Sequence, residues 1–173
     1  AVARYNVDGS LDSSFGSGGK VTTDVAGNSD VAFAVAIQPD GKIVVTGMAI
    51  NIYPDIVVVR YNSDGSLDTG FDGDGIVLTN VYAIDTTDFS DNSHYGWTMA
   101  IQPDGKILVG GYSSDENMDH DFTVLRYNIN GSLDSSFDAD GFVTTPIGID
   151  IDEIRALLVQ PDGKIVAAGY SSF

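Results

Sequence analysis

Two stretches of this 173-residue chain alternate aspartate with glycine in a way that suits a hard cation. Ca²⁺ takes roughly six to eight oxygen ligands, and carboxylates closely spaced in a loop can supply them. Calcium is therefore the candidate cofactor. The candidate metal ligands in the first stretch are Asp64, Asp68, Asp72 and Asp74, and those in the second are Asp134, Asp138 and Asp140.

The same aspartates have a structural interpretation as turn caps. Asp and Asn side chains stabilise turns by accepting hydrogen bonds from nearby backbone N–H groups. A third copy of the loop reads Phe15-Gly16-Ser17-Gly18-Gly19 and lacks both carboxylates of Phe71-Asp72-Gly73-Asp74-Gly75. The loop can form without them, and the terminal glutamate of an EF-hand is absent, so turn capping is the favoured interpretation.

Two aromatic residues, Tyr95 and Trp97, are the candidate ligand-binding side chains, because exposed rings can stack on sugars. Trp97 directly precedes a predicted strand at Thr98–Ile101, and Phe33 precedes the equivalent strand one repeat earlier. That equivalence favours a core position for Trp97.

No catalytic motif is present. The two histidines, His94 and His120, lie in acidic stretches without a serine-bearing elbow or an ordered partner motif. We therefore expect a protein that is not an enzyme. The alternative is a glycan-acting hydrolase with carboxylates from non-repeated loops, either Asp85, Asp88 and Asp91 or Asp150, Asp152 and Glu153.

Internal repetition is the strongest signal in the sequence. Gln-Pro-Asp-Gly-Lys-Ile occurs at 38–43, 102–107 and 160–165, and Arg-Tyr-Asn occurs at 4–6, 60–62 and 126–128. Each Arg-Tyr-Asn is followed by Gly-Ser-Leu-Asp, at 9–12, 65–68 and 131–134. The arginine and tyrosine recur in every copy. We therefore expect the arginine to pair with a carboxylate and the tyrosine to pack between sheets, rather than the two to form a ligand site.

The segments between these signatures are short, β-branched and bounded by Gly, Asp, Asn or Pro, which predicts four strands per repeat and no helix. Four antiparallel strands in a repeat of this length are typical of a β-propeller blade, with a sandwich-like or solenoid stacking as the alternative.

The repeats predict one all-β propeller region over residues 1–173. It divides into the second half of a blade at 1–26, full blades at 27–83 and 95–147, an acidic insertion near 84–94, and the first half of a blade at 148–173. This adds up to about three blades, whereas propellers have about four to eight, so a second chain or further repeats would close the ring.

The combined pattern resembles the bacterial delta-60 repeat. It consists of Ile-Gln-Pro-Asp-Gly-Lys-Ile-Val, then Arg-Tyr-Asn and Gly-Ser-Leu-Asp before a Phe, then Gly-x-Val-x-Thr. The resemblance implies a propeller in large bacterial proteins that are often secreted or surface-attached, and it implies no catalytic residues. Asn130 replaces the aspartate found at Asp8 and Asp64, and Gly16 stands where the other copies have Asp72 and Asp138.

The composition limits the kinds of partner that we expect. The formal net charge is −17, from 25 acidic and 8 basic residues, so neither nucleic acid nor an anionic membrane surface is an expected partner. The chain has no cysteine and no apolar run long enough to insert into a membrane. We expect an extracellular or cell-surface scaffold that binds protein or glycan, as a homo-oligomer or part of a longer repeat chain. The structural alternative is a spacer or filament subunit joined head to tail through a split blade.

Overall fold

The computed structural model describes residues 1–50, 53–81, 93–114 and 119–173. Within these ranges the chain forms strands, turns and bends, and no helix that could cross a membrane is present. The strands are β1 (Val2–Ala3), β2 (Lys20–Val21), β3 (Asp30–Ile37), β4 (Ile43–Ile50), β5 (Pro54–Tyr61), β6 (Ile76–Thr79), β7 (His94–Ile101), β8 (Ile107–Ser114), β9 (His120–Tyr127), β10 (Phe142–Thr145), β11 (Asp152–Val159) and β12 (Ile165–Ser171).

Two complete antiparallel sheets of four strands follow one another along the chain. Their strand orders are β3-β4-β5-β6 and β7-β8-β9-β10, so each strand pairs with its neighbour in sequence. The predicted all-β architecture of four-stranded propeller blades is confirmed. In the described part of the chain, the insertion near 84–94 is represented only by its last residues, Ser93 and His94, and the rest lies outside it.

The Pro-Asp-Gly turn joins the first two strands of each repeat. In the first copy the amide of Gln38 donates to Lys42 O at 2.8 Å, and Gly41 takes a φ of 85° that L side chains rarely adopt. The equivalent glycines, Gly105 and Gly163, have φ values of 85° and 84°. A local motif therefore builds the same hairpin three times.

The chain also contains two sheets of two strands, β1-β2 and β11-β12. Strands β1 and β2 have two residues each, because only Val2 and Ala3 pair, with Val21 and Lys20. The equivalent strand β5 runs for eight residues and is held from both sides, by β4 and β6. Strand β1 has a ladder on one side only.

The core lies between successive sheets, because alternate residues of each strand point to opposite faces. In β4, Val44 packs with Ile107 and Leu125 of the following sheet. Its neighbours Ile43 and Val45 pack with Phe15 and the β1-β2 sheet. A third cluster joins Leu108 and Val124 to Ile154 and Leu157 of β11, so the four sheets stack in chain order.

Each first strand carries a β-bulge at the same place. The register shifts between Ala32 and Ala34 in β3, between Gly96 and Thr98 in β7, and between Ile154 and Ala156 in β11. The extra residues are Phe33, Trp97 and Arg155. Strand β7 therefore begins at His94 rather than at Thr98 as predicted, because the bulge interrupts the period-two pattern that marks a strand in sequence.

Candidate functional site

The Asp-rich loop after each third strand is built around an arginine–aspartate pair. Arg60 Nε donates to Asp68 Oδ2 at 2.6 Å, and Lys42 Nζ lies 3.1 Å from the same oxygen. Burial alone would raise the pKa of the Asp68 carboxyl, but the hydrogen bonds from Lys42 and Gly70 and the charge of Arg60 hold it below its usual value. Asp68 is thus a buried, ionised partner of two cations.

The pair recurs in the other copies. Arg126 Nε donates to Asp134 Oδ2 at 2.7 Å and Lys106 Nζ donates to it at 2.8 Å. The Lys106 and Ser136 hydrogen bonds lower the pKa of Asp134 strongly. In the first copy Arg4 Nε donates to Asp12 at 2.8 Å. Two of the candidate metal ligands, Asp68 and Asp134, therefore form ion pairs with their own sheets.

The same arginine also connects neighbouring sheets. Arg60 Nη1 donates to the carbonyl of Ile129, in the turn after β9 of the following sheet, at 2.6 Å. Its guanidinium lies 4.6 Å from the centre of the Phe71 ring. Arg4 makes the corresponding contact with the carbonyl of Ser63. The recurrent arginine is a structural residue that joins one repeat to the next.

Asp64, Asp74 and Asp140 cap turns. Asp64 Oδ1 accepts from the amide and hydroxyl of Ser66 at 2.9 and 2.7 Å, and these two bonds lower the pKa of Asp64. Asp74 accepts from the Ile76 amide at 2.9 Å, and Asp140 accepts from the Phe142 amide at 3.2 Å. Each carboxylate satisfies a backbone donor two residues ahead in sequence.

Asp72 and Asp138 occupy a special backbone position. Their φ angles are 50° and 49°, and the equivalent Gly16 has a φ of 54°. Aspartate is one of the few residues other than glycine that adopt this left-handed conformation readily. Backbone conformation thus explains why glycine and aspartate exchange here, a difference that the sequence left without a reason.

Among the described residues, no group of three or more His, Cys, Asp or Glu side chains is arranged to hold a metal ion. The structure distributes the predicted ligands over ion pairs, turn caps and a left-handed position in two separate loops. Calcium binding by Asp64, Asp68, Asp72, Asp74, Asp134, Asp138 and Asp140 stays a prediction.

A row of aromatic side chains lies on β3, β7 and β8, and we call it the aromatic row: Phe33, Tyr95, Trp97 and Tyr112. Strands β3, β7 and β11 lie side by side, so the three bulge residues meet. The Phe33 and Trp97 ring centroids are 4.1 Å apart. From the following sheet, Arg155 Cζ lies 4.4 Å from the centre of the Trp97 ring. The indole therefore contacts both an aromatic ring and a cation.

The row continues from β7 onto β8 of the second sheet. Tyr95 stacks on Trp97 at 5.4 Å between centroids and on Tyr112 at 5.1 Å, and Tyr112 stacks on the His120 imidazole at 4.0 Å. Phe33, Tyr95 and Trp97 are each half-buried. Trp97 is thus neither a fully buried core residue nor an isolated exposed platform.

Charged groups flank the row on the β11 side. Glu153 contacts Arg155, and its Oε1 lies 3.8 Å from His120 Nδ1. The Arg155 side chain is 51% exposed, so its guanidinium is accessible beside the Trp97 indole. Stacked rings next to a carboxylate, an imidazole and a guanidinium can bind a flat or ring-shaped polar molecule.

Sequence reasoning singled out Tyr95 and Trp97 and aligned Trp97 with Phe33, but it missed Tyr112 and Arg155 as their companions. A signal was available, because Phe33, Trp97 and Arg155 each lie five positions before the glutamine of Gln-Pro-Asp-Gly-Lys. Counting back from that motif adds Arg155 to the equivalence of Phe33 and Trp97.

Of the carboxylates considered for a hydrolase, the structure describes Asp150, Asp152 and Glu153, which lie just before β11 or at its start. Asp152 Oδ2 accepts from the amides of Ile147 and Gly148 at 2.7 and 2.8 Å, so it closes the loop before β11. Asp150 lies in that loop, and its carbonyl accepts from the His120 amide at 3.0 Å. Asp85, Asp88 and Asp91 lie outside the described residues.

A family model described as a domain of unknown function (DUF5122) beta-propeller matches residues 1–15, 38–71, 102–137 and 160–173, which is more than half of the chain. The chain belongs to the DUF5122 beta-propeller family. No curated protein and no solved structure matches it.

The matched segments have a clear structural meaning in this DUF5122 chain. The two longest run from Gln38 to Phe71 and from Gln102 to Phe137, each spanning the Pro-Asp-Gly hairpin, the next two strands and the Asp-rich loop. The bulge residues Phe33, Trp97 and Arg155 lie outside every matched segment. The family pattern thus covers the Pro-Asp-Gly hairpins and the arginine–aspartate pairs, whereas Phe33, Tyr95 and Trp97 of the aromatic row lie outside it.

Proposed function

We propose that this propeller repeat chain is a non-enzymatic scaffold at the bacterial surface, and that its aromatic row binds a glycan. The observation that carries the proposal is the contact of Trp97 with Phe33 and with Arg155, three side chains from three successive sheets. The delta-60 resemblance supports a secreted or surface-attached setting, and the net charge of −17 favours a soluble, self-repelling surface.

The chemistry of the row suits a sugar. The apolar face of a pyranose packs against the exposed parts of half-buried rings such as Phe33 and Trp97, while its hydroxyls need donors and acceptors beside those rings. Arg155 supplies donors, and Glu153 and His120 supply further polar groups on the same side. Because strands rather than loops hold these side chains, little ordering is needed when a ligand binds.

Trp97 also reports on the site, since it is the only tryptophan of the chain. We would titrate the protein with a panel of soluble neutral, amino and acidic oligosaccharides and follow its fluorescence, with calorimetry as a second readout. The expected result is a saturable change in Trp97 emission with at least one sugar and a matching binding heat.

Two variants sharpen this test. Arg155→Ala should weaken sugar binding. Trp97→Phe should also weaken it, and because this variant lacks the tryptophan, its binding is measured by calorimetry alone. Phe173→Ala removes an aromatic ring that is 90% exposed and outside the row, so it should leave binding unchanged. Absence of a saturable response with every sugar in both methods would refute the glycan proposal.

A further inference from the structure

Several apolar side chains are exposed at positions that the repeat buries elsewhere. Val35 and Ile37 of β3 are 63% and 70% exposed. Their equivalents in the next repeat, Met99 and Ile101, pack against the cluster formed with the preceding sheet. Strand β3 thus presents a face that lacks its preceding neighbour.

The opposite end of the stack shows the complementary face. Leu158 of β11 and Val166 of β12 are 69% and 45% exposed. Val166 is equivalent to Val44 and Leu108, and both of these are fully buried by a following sheet. The faces exposed at β3 and at β11-β12 are therefore the two sides of the interface that the chain forms elsewhere.

The strand edges match in the same way. Strands β4 and β8 pair on both sides, whereas their equivalent β12 pairs with β11 alone, and β1 pairs with β2 alone. A cavity of about 270 Å³ lies beside β1, lined by Val2 and Ala3 together with Phe33, Val35 and Val45. In a complete sheet the first two strands would occupy this side of β1.

Hydrogen bonds between sheets give a third correspondence. Tyr61 bonds Thr23 at 2.7 Å and Tyr127 bonds Thr79 at 2.7 Å, each pair joining one sheet to the preceding sheet. The third tyrosine, Tyr5, is 64% exposed, and the third threonine, Thr145, is exposed at the end of β10. One donor and one acceptor of the same bond thus remain at opposite ends of the chain.

A glycine in each Asp-rich loop completes the comparison. A Cβ added at Gly65 would lie 2.9 Å from Phe15, and one added at Gly131 would lie 3.2 Å from Phe71. A Cβ added at the equivalent Gly9 would meet nothing within 4 Å. The ring equivalent to Phe15 and Phe71 is Phe137, so by the same pattern Phe137 is the missing neighbour of Gly9.

We propose that two copies of this chain complete each other's half-sheets, β12 of one copy pairing with β1 of the other, and close a ring of six blades. The register of β4 with β5, in which Val45 pairs with Val59, predicts that Ala167 pairs with Ala3 of the second copy. Thr145 then bonds the second copy's Tyr5, and each copy covers the other's exposed Val35 and Leu158.

The first test is the mass of the 173-residue chain in solution, measured by sedimentation equilibrium over a wide concentration range. The expected result is a dimer that does not grow further. A monomer at every concentration would overturn the proposal and indicate that flanking repeats cover these faces. Open-ended growth would overturn the closed ring in favour of a head-to-tail filament. No sugar is present, so this result is independent of the glycan proposal.

A matched pair of glycine variants tests the interface. Gly9→Asn places a side chain where Phe137 of the second copy should lie, and we expect the dimer dissociation constant to rise more than about tenfold. Gly18→Asn is the control, because Gly18 also has a positive φ, meets nothing within 4 Å and is equivalent to the exposed Asp74 and Asp140. Circular dichroism of each variant verifies that the monomer is folded. Equal dissociation constants for the two folded variants would overturn the proposed contact.

The absence of cysteine allows a direct test of strand pairing. In the double variant Ala3→Cys with Ala167→Cys, oxidation should give one covalent dimer species on a non-reducing gel, and each single variant should stay uncrosslinked. A ladder of higher multimers or a crosslink within one chain would contradict a ring of two copies.

Discussion

Arg60 Nε lies 2.6 Å from Asp68 Oδ2, with both side chains buried between the two complete sheets. Asp68→Ala leaves the Arg60 guanidinium buried without its carboxylate, and we expect the free energy of unfolding to fall by about 3 kcal/mol. Urea denaturation followed by circular dichroism measures this loss.

Asp12→Ala is the matched control for that change. Asp12 forms the same pair with Arg4, but the two side chains are 25% and 34% exposed, so solvent compensates the arginine and the loss should be smaller. Both variants are measured at low concentration, where the first half-sheet is free. Equal losses would show that burial does not set the strength of the pair.

Low pH should destabilise the protein. Hydrogen bonds to serine and to lysine, with the nearby arginines, lower the pKa of Asp12, Asp68 and Asp134 in the folded state. Their stabilisation is complete above the unfolded pKa of about 3.9 and is lost as the pH falls through the lower folded values. Burial raises the pKa of Asp55, which has the opposite sign but concerns a single group.

The free energy of unfolding should therefore change little between about pH 7 and pH 5 and decrease below about pH 4. Urea titrations at a series of pH values give the curve. Asp134→Asn removes one of the titrating groups and should flatten its acid limb. A free energy that rises between about pH 5 and pH 3 would contradict the assignment of these carboxylates as ionised partners.

The left-handed positions of the Asp-rich loops predict a stabilising substitution. Ala139 has a φ of 72°, where its repeat equivalent is Gly73. Ala139→Gly should raise the free energy of unfolding by about 1 kcal/mol, because alanine is strained in this conformation. Ala26→Gly, at a loop alanine outside the left-handed region, should lower it instead. A loss of stability in Ala139→Gly would disprove the strain.

Calcium should leave the thermal midpoint unchanged if the loop carboxylates are only turn caps and ion-pair partners. The measurement is thermal unfolding in chelator and across a calcium series, with magnesium as the control. A metal bound only to the folded form adds about 2.7 kcal/mol at 100 times its dissociation constant, a shift of several degrees. A saturating rise that Asp74→Asn abolishes would establish a metal site. Asp72→Asn is a better probe than Asp72→Ala, because asparagine tolerates the left-handed φ of 50°.

The sequence by itself determined the sheets and their order. Each Gln-Pro-Asp-Gly-Lys motif encodes a hairpin within six residues, and β-branched alternation marks the strands beside it. The recurrence of the Arg-Tyr-Asn arginine in three copies was enough to predict a structural role for Arg60, whereas its partner Asp68 was predicted to be a metal ligand or a turn cap. These features are local or repeated, so their physical meaning can be worked out from a single stretch of chain.

The tertiary structure decided where the bulge residues and the loop aspartates point. A bulge interrupts the alternation of faces along a strand. The sequence pattern therefore could not tell whether the Trp97 side chain enters the core or lies beside the bulge residues of neighbouring sheets. Its neighbours Phe33 and Arg155 are 64 and 58 residues away and meet it only because β3, β7 and β11 lie side by side. Likewise, the direction of the Asp72 side chain depends on its left-handed backbone φ. That conformation accompanies the hydrogen bond from the Asp72 amide to the carbonyl of Asn130 in the next repeat. Such contacts arise from the stacking of whole sheets, which no single repeat encodes.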